Sequence, residues 1–295
     1  MAIPDSLNKN LTLPVICAPM FIVSNPEMVI AQCKSGVIGS FPALNARPQE
    51  VLDDWLTRIK TELAADPNAA PFAVNQIVHP STGRLEHDMA LCVKHEVPLI
   101  ITSLAAPTAI VPHVHAYGGK VFHDVISVRH AEKALEAGVD GLILVCAGAG
   151  GHAGTLSPFA LVGEIRKFYD GPIALSGSIT NGHAILSAQA MGADFAYIGT
   201  RFIATTEANA VEAYKQAIVD SAAKDVVYTP YFNLPEKDKT AMSFGSSRDA
   251  KAWKDIWGAG QGVGSIGDVL PTAELVNRLQ QEYRSAKTAL CSNPF

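Results

Sequence analysis

The sequence predicts an α/β fold in which eight β-then-α units close into one parallel (β/α)8 barrel, with a small C-terminal appendage. Three observations predict it. Short apolar runs recur eight times before about residue 224. Each is followed by a loop and an amphipathic helical stretch, which is the rhythm of a parallel sheet. Eight units exceed the five or six strands usual in an open doubly wound sheet, and a chain of 295 residues has room for a barrel and an addition.

The elements follow in order. Val15–Ala18 is the first strand run; Ser24-Asn25-Pro26-Glu27 then supplies capping side chains, a proline and an acid for a helix over Pro26–Ser35, stopped by Gly36. Val37–Phe41 is followed by a helix over Gln49–Ala65, Phe72–Ile77 by Arg84–His95, and Leu99–Ser103 by Thr108–Tyr117, which Gly118 ends. Val121–Val125 leads to Val128–Ala137 and Gly138, and Gly141–Ala147 leads to Pro158–Phe168. Ile173–Ser176 precedes Gly182–Met191 and Gly192, and Phe195–Gly199 precedes Thr206–Ala223. Beyond that the rhythm stops. Tyr228–Ser247 is rich in Pro, Lys, Asp and Ser, Trp253–Gly267 is aromatic and then glycine-rich, and Pro271–Lys287 reads as an amphipathic helix. The expected division is a barrel over 1–223 and a lid or substrate region over 224–295, partly packed on the barrel.

Composition narrows the class. Hydrophobic residues are 48% and charged residues 17%, so the chain is globular. The net charge of −5 and the lack of any Lys/Arg cluster argue against a nucleic-acid partner. The longest apolar region, Val97–Pro112, is broken by Pro98, Thr102, Ser103 and Pro107 and is short for a membrane span. Met1-Ala2-Ile3-Pro4-Asp5 lacks the pattern of a signal peptide, and the five cysteines (17, 33, 92, 146 and 291) contain no C-x-x-C. A reduced, cytoplasmic protein without structural zinc or other metal is expected.

Chemistry in such barrels sits at the carboxyl ends of the strands. The sixth run passes into Ala147-Gly148-Ala149-Gly150-Gly151-His152-Ala153-Gly154, a bare loop that permits close backbone approach, and His152 is its only titratable side chain. Ser176-Gly177-Ser178 and Gly199-Thr200 end the seventh and eighth runs, where barrels often seat a phosphate. Asn75 ends an otherwise apolar run and needs partners; Asp124, beside His123, orients a ligand or caps the next helix. Cys146 and His152 form a possible nucleophile pair, but a cysteine inside an apolar run is usually a small hydrophobe. His113-x-His115 hints at a metal, yet falls on a surface helix with no acidic partner near in sequence. Gly262–Gly267 spells G-x-G-x-x-G but lacks the preceding strand and following helix that a dinucleotide site needs.

Val15-Ile16-Cys17-Ala18-Pro19-Met20, Ala149-Gly150-Gly151-His152, Ser176-Gly177-Ser178-Ile179 and Gly192-Ala193-Asp194 leading into Ile198-Gly199-Thr200-Arg201-Phe202 together resemble the nitronate monooxygenase family, formerly 2-nitropropane dioxygenase. The resemblance runs from about residue 13 to 207 and returns at Ala259-Gly260-Gln261-Gly262. It implies a TIM barrel holding FMN, with cofactor contacts on Ala18, Pro19, Met20, Asn75, Gly150, Gly151, Gly177, Gly199 and Thr200, and His152 as catalytic base. Asp124, Ala149, Ser176 and Ser178 join this set by position.

The implied activity is FMN-dependent oxidation of alkyl nitronates, extending to nitroalkanes, by O2 to carbonyl compounds and nitrite. Its partners would be a small-molecule substrate and O2, with a homodimer left open. Two alternatives stand beside it: an NAD(P)H-dependent flavin reductase acting on a quinone or enoyl thioester, and a non-catalytic flavin-binding protein. The chain departs from the family's pattern at Asp124, where many relatives carry a lysine near the flavin. It also passes directly from Tyr231-Phe232 to Asn233-Leu234-Pro235, where close relatives have a longer Gly- and Asn-containing segment, which implies a shorter lid.

Overall fold

The computed structural model describes residues 3–79, 81–151, 154–228 and 257–293. Eight strands form one parallel sheet: β1 (Val15–Cys17), β2 (Gly39–Pro42), β3 (Phe72–Val78), β4 (Leu99–Leu104), β5 (Lys120–Val125), β6 (Gly141–Val145), β7 (Ile173–Ser176) and β8 (Phe195–Ile198). Consecutive strands pair from β2 to β8, and β8 pairs with β1, with Ile16 opposite Tyr197. The ring is completed where the Cys17 N–H donates to the Ile38 carbonyl (2.8 Å) and the Ile38 N–H donates to Val15 (3.0 Å).

Helices surround this ring. They are α1 (Asp5–Asn8), α2 (Pro26–Lys34), α3 (Val51–Ala64), α4 (Leu85–Lys94), α5 (Val111–His115), α6 (Val128–Glu136), α7 (Pro158–Ile165), α8 (Gly182–Ala190), α9 (Thr200–Ile203), α10 (Glu212–Asp220) and α11 (Thr272–Cys291). Two of them, α1 and the short α9, are not expected from the sequence. Asn25 caps α2 by accepting from the Met28 N–H at 2.8 Å, as its sequence signal predicts. Two of the predicted helices differ from expectation. Pro112 has no N–H and is tolerated only in a first turn, so α5 begins at Val111 and not at Thr108. The expected Thr206–Ala223 helix is shortened to α10, because Glu207 is engaged elsewhere: its carboxylate accepts from the Thr272 N–H and hydroxyl (2.8–3.1 Å).

Inside the barrel, Ile16, Ile38, Ala73, Leu99, Ile101, Phe122, Ile143, Ala174, Phe195 and Tyr197 pack into one core, which Leu7 of α1 joins. Phe122 and Phe195 meet edge to face at 6.1 Å. Gly141 lies beside Phe122; a Cβ there would come within 2.5 Å of the ring, so a small residue is matched to a large one. The other strand faces bury against the helices in a second, larger core. No described helix is long and apolar enough to cross a membrane.

Candidate active site

Strand residues alternate between the barrel interior and the helical layer. This parity lifts Asn75, Ser103 and Asp124 one step above the interior layer of Ala73, Ile101 and Phe122, where they form the polar floor of a cavity. The Asn75 amide donates to Ser103 Oγ (2.9 Å) and to the Ile101 carbonyl (3.2 Å). Ser103 Oγ in turn donates to Asp124 Oδ2 (2.6 Å). Asp124 Oδ1 is buried and has no hydrogen-bond partner among the described residues. Burial pushes this carboxyl up to about 6, against the lowering effect of the Ser103 hydrogen bond. His123 faces the other way: its Nδ1 shares a hydrogen bond with Thr102 Oγ1 (2.8 Å), and burial pulls it down to about 4.

The glycine loops after β6 and β7 meet a segment from the C-terminal region. Gly148 (φ 85°) and Gly177 (φ 130°) take backbone conformations that side chains oppose. A Cβ on Gly177 would approach the Ala147 carbonyl to 2.7 Å. Gly150 is not in the left-handed region, contrary to the simplest reading of a glycine-rich loop. It is small for another reason, since its Cβ would stand 3.0 Å from the Gly260 nitrogen. The Gln261 N–H donates to the Gly148 carbonyl (2.9 Å), and the Gly260 N–H donates to Thr200 Oγ1 (2.9 Å), leaving the Thr200 hydroxyl its own proton to give. Gly262–Gly267 starts inside a 3-10 turn, Gln261–Ser265, and packs on Thr180 and Ser178; it is not a dinucleotide turn.

The loop after β1 is held by asparagines. Asn45 donates to the carbonyls of Met20 (2.9 Å) and Ser24 (2.8 Å) and accepts from the Ile22 N–H (2.9 Å). Asn209 donates to the Ile22 carbonyl (2.9 Å). Ile22 sits at φ 67°, a strained backbone for a β-branched residue, and these bonds fix it there.

One cavity of about 550 Å³ collects these parts. It is lined by Ala18, Pro19 and Met20 after β1, Asn75 on β3, Asp124 on β5, Ala149, Gly150 and Gly151 after β6, Ser176, Gly177 and Ser178 at β7, and Gly199 and Thr200 at β8. Every expected cofactor position therefore borders the same space. His152 lies outside the described residues, as does Tyr231–Pro235, where a shorter segment is expected; Gly151, just before His152, lines the cavity.

Cys146 is buried and its thiol is pushed up to about 12 by burial, the state of an inert hydrophobe. His115 Nε2 pairs with Asp140 at 2.8 Å, an acidic partner that sequence proximity does not reveal. Among the described residues, no group of three or more His, Cys, Asp or Glu side chains is placed to hold a metal. Sequence reasoning misses Ser103 as the bridge, the Asn45 and Asn209 clamps, and Tyr214 and Trp257, which stack at 5.3 Å and line the cavity wall. The partial signals were the strand-end position of Ser103 and the family-like Ala259–Gly262 segment beside Trp257.

A family profile described as nitronate monooxygenase matches residues 41–237, about two thirds of the chain. The chain belongs to the nitronate monooxygenase family. A nitronate monooxygenase of Paraburkholderia phytofirmans is 27% identical over 92% of this chain and 93% of its own length. FabK from Thermotoga maritima superposes with a TM-score of 0.81 at 22% identity, covering 97% of each chain. A nitroalkane oxidase from Streptomyces ansochromogenes does so with a TM-score of 0.80 at 22% identity, covering 97% of this chain and 100% of that one. These two likenesses show the barrel fold. Family membership makes the chain an oxidoreductase of the flavin-dependent type.

The residues present fit a flavin. The site offers a glycine-lined wall, in which a Cβ at Gly150 or Gly177 would press on neighbouring backbone, and the hydroxyl of Thr200 beside it. Apolar Ala18, Pro19, Met20 and Val145 flank the cavity, and an unpartnered carboxyl oxygen lies in its floor. The volume falls in the range of cofactor pockets, about 300–1,000 Å³.

Proposed function

We propose that the protein is an FMN-dependent nitronate monooxygenase that oxidises alkyl nitronates, and nitroalkanes after proton removal, with O2 to carbonyl compounds and nitrite. The observation that carries this reading is the convergence of the β6, β7 and β8 glycine loops and the Gly258–Gly262 segment on one cavity with a polar floor. Gly177, Ser178, Gly199 and Thr200 would hold the phosphate, and Ala18, Pro19, Met20, Ala149, Gly150, Gly151, Asn75 and Asp124 would border the ring. When bound, FMN supplies the redox chemistry with O2. His152 is the proposed base: as neutral imidazole it takes the α-proton of a nitroalkane, and as imidazolium it donates a hydrogen bond to the nitro oxygens of a nitronate. Residues 224–295 are read as the region that closes the substrate side, with Trp257, stacked on Tyr214 of α10, in its described wall.

The test is release and reduction of the bound flavin. Denaturation should release FMN and no FAD. Under anaerobic conditions an alkyl nitronate should bleach the flavin absorbance quickly, and NADH slowly or not at all. Rapid bleaching by NADH with no response to nitronate would transfer the protein to the reductase reading. A flavin that answers to neither would leave a binding protein.

A further inference from the structure

We propose that Asp124 acts as a neutral proton donor to the flavin: its Oδ1–H donates a hydrogen bond to a carbonyl oxygen or ring nitrogen of the isoalloxazine, so that flavin affinity falls when the carboxyl ionises. The inference rests on the flavin reading above. Its starting point is the floor of the cavity, where polar hydrogens are committed. Both hydrogens of the Asn75 amide are used, on Ser103 and on the Ile101 carbonyl, and the single Ser103 proton is given to Asp124 Oδ2. Asp124 Oδ1 receives nothing and is buried, and the residue that carries it lines the cavity from the end of β5.

A buried carboxylate needs donors on both oxygens, whereas a carboxylic acid needs one acceptor for its proton. The surroundings favour the acid. From β8 the cavity receives Tyr197, and from α6 His130; Tyr214 is the remaining titratable group on its described wall, and no Lys or Arg lines it among the described residues. Tyr197 is itself pushed up, by burial first and by the charge of Asp124 second, so it stays neutral and brings no positive charge to hold the carboxylate. Burial likewise holds the Asp124 carboxyl high, at about 6. Asp124 thus offers a bound ring a donor at low pH and a negative charge at high pH, the reverse of what a cationic side chain offers there.

The experiment is reconstitution of the full chain. Apoprotein is titrated with FMN and, separately, with riboflavin, following quenching of flavin fluorescence from about pH 5 to about pH 8.5. Riboflavin is included because a phosphate ionises near pH 6 and would add its own pH dependence. For the wild type, Kd for riboflavin should rise about tenfold per pH unit above the Asp124 midpoint, and the FMN profile should carry the same rise together with the phosphate's own dependence. Asp124→Asn keeps an N–H donor at every pH, so its riboflavin profile should be flat and its binding at pH 8 tighter than the wild type's. Ser103→Ala, which removes the bond that lowers the Asp124 carboxyl, should move the wild-type break to higher pH; it carries the test if the Asn variant fails to fold. Parallel riboflavin profiles for wild type and Asp124→Asn, or a break that Ser103→Ala leaves in place, would overturn the proposal. A wild type that binds neither flavin at any pH would overturn the flavin reading, and this inference with it.

Discussion

Asp124 should leave a mark on the empty protein as well. Below the ordinary aspartate range both folded and unfolded chains hold the proton. Between about 4 and about 6 only the folded chain does, so stability falls as pH rises through that window. A displacement of about two pH units corresponds to about 3 kcal/mol, lost in full above pH 6. Asp124→Asn should remove the slope, making the apoprotein more stable than the wild type at about pH 8 and no more stable at about pH 4. Urea denaturation at the two pH values measures this; equal differences at both would show that the carboxyl does not titrate there. At His152 the discriminating quantity is a ratio. His152→Asn should lower kcat/KM for neutral nitroalkanes by about 10²–10⁴-fold while activity on pre-formed nitronates falls much less, since their α-proton is already gone. Equal losses on the two substrates would assign His152 to binding and not to proton removal.

At the scale of elements, the loop after β1 is the part of the site most dependent on a single distant side chain. Asn45 makes three hydrogen bonds across Met20, Ile22 and Ser24 and holds Ile22 at φ 67°. Asn45→Ala should cost about 2–3 kcal/mol, at about 1 kcal/mol per bond, and should weaken FMN binding by letting Met20 move. Asn45→Asp keeps the acceptor for Ile22 and loses both donors, so it should fall between. Denaturant midpoints and flavin titrations test the pair; lowered stability with unchanged flavin affinity would separate this loop from the ring. Such a clamp is not legible in sequence. The βα units are, because caps such as Asn25 and stops such as Gly36 act within a few residues. His123 and Asp124 look interchangeable in a list of residues, and only the barrel register sends one outward and the other into the cavity. Asn75, Ser103 and Asp124 come from three strands, and their relay exists only once those strands pair.

At the scale of the molecule, the C-terminal segment is fastened back onto the barrel at the site's edge. Thr205 bridges Leu270, and Gly182 of α8 donates to Glu282 of α11 (2.8 Å). The strongest tie is Arg201, only 3% exposed, which donates to the Ala204 and Asp268 carbonyls and pairs with Asp268 Oδ1 at 2.8 Å. Asp268 also meets Arg278 at 2.7 Å, but Arg278 is 45% exposed. The two arginines therefore should not weigh equally. Removing the partner of a buried charge costs about 3–5 kcal/mol when the pair is fully enclosed. Asp268 retains 35% of its exposure, so Asp268→Ala should cost less, about 2–3 kcal/mol. Arg278→Ala should stay within about 0.5 kcal/mol. Because Gly258–Gly262 lies between the barrel and this tie and shares the cavity wall, Asp268→Ala should also loosen flavin binding, and Arg278→Ala should not. Urea midpoints and FMN titrations on the two variants test the contrast. If Asp268→Ala lowers stability while FMN binds as tightly as before, the Gly258–Gly262 segment keeps its place without the tie, and the hydrogen bonds from Gly260 to Thr200 and from Gln261 to Gly148 are sufficient to hold it.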